Sequence, residues 1–154
     1  MWHSTDPMKA FLNFLNLGFL PTSPDLGILL LRLGTGLGMV YLHGWNKWEK
    51  RQAFVKTWPD PLNLGSQEVS FYLLVFAEVA CALMIAVGFL TRFAAFVLAF
   101  GMGVAFFIVH KCQFFGEKNG ELAALYGLAC LTIFLTGPGK FSIEGAAVRQ
   151  NNGK

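Results

Sequence analysis

An all-α membrane protein, a bundle of four transmembrane helices, is the fold class this sequence predicts, and three observations predict it. Of its 154 residues 55% are hydrophobic and only 14% charged, against about 25% charged in ordinary soluble domains. Sixteen Phe, four Trp and a mean hydropathy of +0.51 fit a polytopic chain. Four apolar segments succeed one another between glycine, proline and charged punctuation. The length suits one compact domain. A net charge of +3 is too small to point to nucleic acid. Cys81, Cys112 and Cys130 form no CxxC pair and no metal-ligand spacing, so no metal site is expected.

Residues 1–24 lack the apolar core and small-residue cleavage site of a signal peptide. Met8, Phe11, Leu12, Leu15 and Phe19 recur at helical spacing. Asp6 to Phe19 is therefore either an amphipathic interfacial helix or a loosely ordered tail. Pro21 and Pro24 break the chain before the first span, Leu26 to Trp45, which at about 1.5 Å per residue covers the roughly 30 Å hydrocarbon core. On a helix turning about 100° per residue, Met39 and His43 each fall within about 20° of Arg32, with Gly34 and Gly38 on the far side. The Arg32/His43 face is expected to look into the bundle, and the Gly34/Gly38 face to allow close helix packing.

Residues 46–68 carry Lys47, Trp48, Lys50, Arg51 and Trp58 ahead of Pro59 and Pro61. That composition suits a short interfacial helix and a turn at headgroup level, with Trp45 and Lys47 at its edge. Val69 to Leu90 is the second span, and its one ionisable group is Glu78. Gly88 to Arg92 leads at once into Phe93 to Val109, so spans two and three form a tight hairpin. The third span is uncharged, carries Gly101 as a packing position and ends in His110-Lys111-Cys112. Leu122 to Thr136 is short for a span, with Asn119 and Glu121 at the interface. Gly137-Pro138-Gly139 stops it, which leaves 25–144 as the transmembrane domain and 145–154 as a disordered tail. Four spans place both termini on one side, with five Lys and Arg there and six on the other. The positive-inside rule therefore leaves the orientation open.

Charges inside a membrane segment are costly unless paired or hydrated, so each marks a functional-site hypothesis. Counted from the loop ends, Arg32 lies about 20 Å into the first span and Glu78 about 14 Å into the second. That is close enough for a buried ion pair, which could serve a site or only fasten the bundle. The same counting gathers His43, Lys47, His110, Lys111 and Glu121 near one membrane face, with Glu78 and Tyr126 below. Such a set can hydrogen-bond the carbonyls of a quinone head group and exchange protons with it. The sequence has no nucleophile elbow, phosphate-cradling loop, CxxCH haem site or zinc motif, so no catalytic residue of its own is expected. The alternative to a quinone site is a purely structural scaffold whose glycine faces and interfacial aromatics pack other subunits. Solute transport is weaker, because four helices without an internal repeat leave little room for alternating access.

Arg32-Leu-Gly in span one, His43-Gly44-x-x-Lys47 at its exit, Glu78, Gly88-x-x-Thr91-Arg92, His110 and Gly137-Pro138-Gly139-Lys140-x-Ser142 occur in an order that resembles the DoxX family of small four-helix membrane proteins. The resemblance covers about residues 26–144. Glu144 stands where the family usually shows Asp, and the first 24 residues have no clear counterpart. The resemblance implies a multi-pass protein of a bacterial or archaeal inner membrane, tied to quinone-linked oxidation, as are related subunits of thiosulfate:quinone oxidoreductase. It would be a subunit of a redox complex that binds quinone or anchors a quinone-reducing partner. Quinone would be its non-covalent cofactor; lipids and other subunits would be its partners, one of them carrying flavin, haem or iron–sulfur.

Overall fold

The computed structural model describes residues 7–17, 20–116 and 119–152, and every regular element among them is helical. The elements are α1 (Pro7–Leu15), α2 (Pro24–Glu49), α3 (Arg51–Phe54), α4 (Gln67–Val87), α5 (Thr91–Val109), α6 (Glu121–Thr136) and α7 (Ile143–Asn152). Three of them, α2, α4 and α5, are long and apolar enough to cross a membrane, and the shorter apolar α6 completes a four-helix bundle. The helix read between Asp6 and Phe19 is present as α1, while Asp6 and Phe19 themselves lie outside the described residues.

The boundaries arise from local chemistry. Ser23 accepts the Leu26 amide at 3.4 Å, and Pro24 occupies the first turn, where its missing N–H is no loss. Ser66 caps α4 in the same way through Val69. Gly88, at φ +73°, ends α4 in the left-handed conformation that other residues adopt only with strain.

Small residues set the packing. Ala82, Ala94 and Ala95 are fully buried with Cys81, Ile85, Leu98, Cys130 and Ile133. Without a hydrophobic drive in lipid, close backbone approach of this kind is what holds helices together. On α2 the tight positions are Gly36 and Gly44. A Cβ at Gly36 would stand 2.5 Å from the Ala82 carbonyl, and one at Gly44 would stand 2.9 Å from the Glu78 carbonyl.

The packing face expected from Gly34 and Gly38 is thereby corrected. Gly34 is exposed with nothing near it, and Gly38 receives the Tyr126 hydroxyl from α6 rather than a backbone. A Cβ at Gly101 would meet Ala77 and Leu74 of α4 at 3.9 Å, ordinary van der Waals contact.

The tail is also corrected. Its polar composition predicts disorder over 145–154, yet α7 runs from Ile143 to Asn152. Glu144 accepts both the amide (2.7 Å) and the hydroxyl (2.8 Å) of Thr91, so this segment caps the start of α5, where no local side chain does. Arg149 adds a hydrogen bond to the Lys140 carbonyl at 2.9 Å.

Candidate functional site

The expected Arg32–Glu78 pair does not form, and register is the reason. Equal loop ends would set Gly44 level with about residue 70, but Gly44 packs on Glu78. The slip of about eight residues moves Arg32 some 12 Å from where the pairing needed it. Part of the slip comes from α2 running on to Glu49 instead of stopping at Trp45. Arg32, 1% exposed, instead points to the opposite end of the bundle. It donates to the carbonyls of Ile85 (3.1 Å), Ala86 (3.2 Å), Phe141 (2.9 Å) and Pro138. Ile85 and Ala86 belong to the last turn of α4, where Ile85 otherwise receives only the Gly88 amide at 3.2 Å, so a guanidinium there is a cap as well as a clamp.

Glu78 is 3% exposed, and both its oxygens receive Lys47 Nζ at 2.6 Å. This pair stands on a cavity of about 630 Å³ lined by α2, α4, α5, α6 and the connection between α3 and α4. His43, Lys47, Glu78, His110 and Tyr126 all line it among predominantly apolar neighbours such as Met39, Leu74 and Met102. The His43 and Tyr126 rings meet edge to face at 5.5 Å. Among the described residues, neither imidazole nor the Tyr126 hydroxyl has a hydrogen-bond partner. An apolar chamber with a few convergent polar tips is the usual form of a small-molecule site.

Three π-helical turns ring this end: Val40–Gly44 in α2, Phe76–Cys81 in α4 and Ala105–Val109 in α5. Each inserts a residue into its helix, as the 2.9 Å bond from the His110 amide to the Ala105 carbonyl shows for α5. They hold His43, hold Glu78 and immediately precede His110. Such bulges are rare and concentrate at functional sites, where they re-aim side chains.

The connection after α3 closes the chamber from the loop side. Trp58 packs edge to face on Phe71 (5.4 Å) and lies 5.9 Å from Lys47 Nζ. Asp60 fastens the turn by accepting the Ser70 hydroxyl and the Gly65 amide. The Ser70 hydroxyl first, then the Leu64 amide, hold its carboxyl below the usual aspartate range against a small opposing effect of burial; the Gly65 and Ser66 amides add to this.

The cavity therefore unites His43, Lys47, Glu78, His110 and Tyr126 as read from sequence, with Lys47 promoted from an interface residue to the partner of Glu78. Trp45 faces outward, 57% exposed, and Glu121 is exposed at the start of α6, where a carboxylate suits the helix dipole. Neither lines the cavity. Sequence reasoning missed Trp58 and the Asp60–Ser70 latch, although a Trp ahead of Pro-Asp-Pro between two spans is a signal for an ordered turn.

Comparison with known proteins agrees with this architecture. The model of the DoxX family matches residues 27–111, more than half of the chain. The match thus ends at α5, and the likeness of the Gly137–Ser142 segment rests on its motif alone. An uncharacterized protein of Haemophilus influenzae is 22% identical over 127 residues, covering 73% of this chain and 84% of its own. No solved structure gives a significant match. On the family match, the chain is a multi-pass membrane protein and belongs to the DoxX family.

Proposed function

We propose that the chain is a quinone-binding subunit of a redox complex in a prokaryotic inner membrane. The observation that carries this reading is one cavity with apolar walls that collects two imidazoles, a phenol and a buried ammonium–carboxylate pair at one end of a membrane bundle. Ring carbonyls need hydrogen-bond donors, and neutral imidazole, phenol and the Lys47 ammonium supply them. A bound quinone would supply two-electron, two-proton chemistry, with electrons delivered by a partner subunit that carries a redox centre. The ring nitrogens of His43 and His110 can each donate or accept a hydrogen bond, and the Tyr126 ring packs against His43. The Lys47–Glu78 pair keeps a balanced charge beside the ring without leaving an unpaired ion in an apolar wall.

The test is equilibrium dialysis of a benzoquinone against the purified full chain in mild detergent. Saturable binding is expected, weakened about tenfold in His43→Ala and in Glu78→Gln, the cost of one unsatisfied buried partner. Absence of saturable binding to the wild-type protein would refute the reading. Co-purification of a large assembly without quinone would favour the scaffold instead.

A further inference from the structure

The cavity has a side that faces lipid. Leu73 and Phe76 of α4 and Phe100 of α5 line it, yet they are 54%, 48% and 57% exposed on the outside of the bundle. Wall residues that are at once interior and exterior make this wall one side chain thick, and it runs between α4 and α5. Phe100 stands near the middle of α5 and Phe76 near the middle of α4, so at about 1.5 Å per residue both lie more than about 10 Å from the helix ends, within the hydrocarbon zone. Water is scarce at that depth; acyl chains are not.

Gly101 leaves room for one methyl and no more at this seam. A Cβ there would meet its nearest neighbours, Ala77 and Leu74, only at 3.9 Å. The other lateral candidate, a groove between α2 and α6 lined by Leu30, Gly34, Leu125 and Ala129, is cut off from the chamber. Tyr126 plugs it, its hydroxyl 2.8 Å from where a Gly38 Cβ would be and its ring against His43. The loop side is covered by the latched turn at Trp58 and Asp60.

We infer that the α4–α5 seam at Gly101 is a lateral portal, through which a membrane-dissolved ligand enters and its hydrocarbon tail remains in the bilayer while its polar head sits among His43, Glu78 and His110. The inference rests on the quinone reading for the head group and adds that the ligand is tailed and lipid-borne, with Gly101 deciding whether the tail fits.

Two benzoquinones separate the claims, one without a tail and one with a decyl chain, both assayed for binding to the full chain in nanodiscs. Gly101→Leu is expected to weaken the decyl compound by at least about tenfold through overpacking of the seam, and the tail-less ring by less than about twofold. Gly101→Ala, which fits at 3.9 Å, should leave both unchanged. Retained tail-less binding certifies that the leucine variant is folded. Independently, a quinone with a diazirine on the first tail carbons should crosslink the wild-type chain at Leu73, Phe76 or Phe100. Crosslinks at Leu125 and Ala129 or in the 58–64 turn, or equal loss of both compounds in Gly101→Leu, would overturn the portal and leave the head-group site standing. Binding of neither compound by the wild type would overturn both.

Discussion

The two ends of the bundle bury charge for opposite purposes. At one, Arg32 meets four backbone carbonyls, Glu144 caps Thr91, and Gly88 packs so closely that a Cβ would lie 2.9 Å from the Arg32 guanidinium. Each of these charges has a backbone partner. At the other, Lys47 and Glu78 satisfy each other, while His43, His110 and Tyr126 face a cavity with their polar atoms uncommitted. A buried ion is therefore no guide to function by itself in this fold. What separates clamp from site is whether neighbouring polar groups are used up.

The largest effect should come from breaking the clamp. Arg32→Met removes the guanidinium donors to Ala86, Pro138 and Phe141 and leaves Ile85 only the Gly88 amide, and leaving such carbonyls unmet costs about 1–3 kcal/mol each. A loss of about 3 kcal/mol or more is expected, read as earlier thermal reactivity of the buried thiols Cys81 and Cys130 in detergent. Arg32→Lys should rescue little of it, because one ammonium cannot reproduce the guanidinium fork. A wild-type melting curve for either variant would mean that the clamp is decorative.

At the cavity end, loss of one partner should be repairable. Lys47→Met strands the Glu78 carboxylate in an apolar wall, a defect of about 3 kcal/mol in buried pairs. Adding Glu78→Met removes the stranded charge, so the double variant should be more stable than Lys47→Met while quinone binding stays lost. If the double variant melts below the single one, the pair fastens the bundle as Arg32 does, and the contrast between the ends fails.

Glycines give a smaller and more local contrast. Gly44→Ala places a methyl 2.6 Å from Val79 Cγ2 and should cost about 1–3 kcal/mol by overpacking. Gly34→Ala meets open space and should be neutral or gain up to about 1 kcal/mol of helix propensity. Paired melts decide it, and equal effects would mean that the α2–α4 register is not the one described.

This pair also shows how much of the molecule is legible in the sequence. The apolar runs make the four-helix fold readable, since their lengths answer directly to bilayer thickness. The membership of the cavity, His43, Glu78, His110 and Tyr126, is readable because depth counting places residues near one face without needing a precise register. Pairing is not, because Arg32 and Glu78 depend on a register that Gly36 and Gly44 fix by three-dimensional contact. Counting also assumes straight α-helices, whereas each π turn rotates the remainder of its helix. The clamp is written in the motifs Gly88-x-x-Thr91 and Gly139-Lys140-x-Ser142, but only the folded chain brings them to Arg32. Glu144 illustrates the same limit: in sequence it is only the last residue of the transmembrane domain, and the uncapped start of α5 gives it a task.

The mildest perturbation concerns the turn over the cavity. Asp60 accepts from Ser70 and Gly65 only as a carboxylate, and these bonds depress its pKa from 3.8. A depressed folded pKa means that the stabilisation is complete above the unfolded value and is lost as pH falls through the folded one. The turn should therefore be latched at neutral pH and down to about pH 5, and should loosen below about pH 4. Amide hydrogen exchange over residues 58–66, corrected for intrinsic rates, should rise on acidification, and Asp60→Asn should show the raised exchange at pH 7 already. Protection at Ile85 and Ala86 should not change in that variant, because the Arg32 clamp shares no partner with Asp60. Matching changes at both ends would mean that they open as one cooperative unit, and the division of labour between clamp and chamber would then lie in their chemistry without extending to their stability.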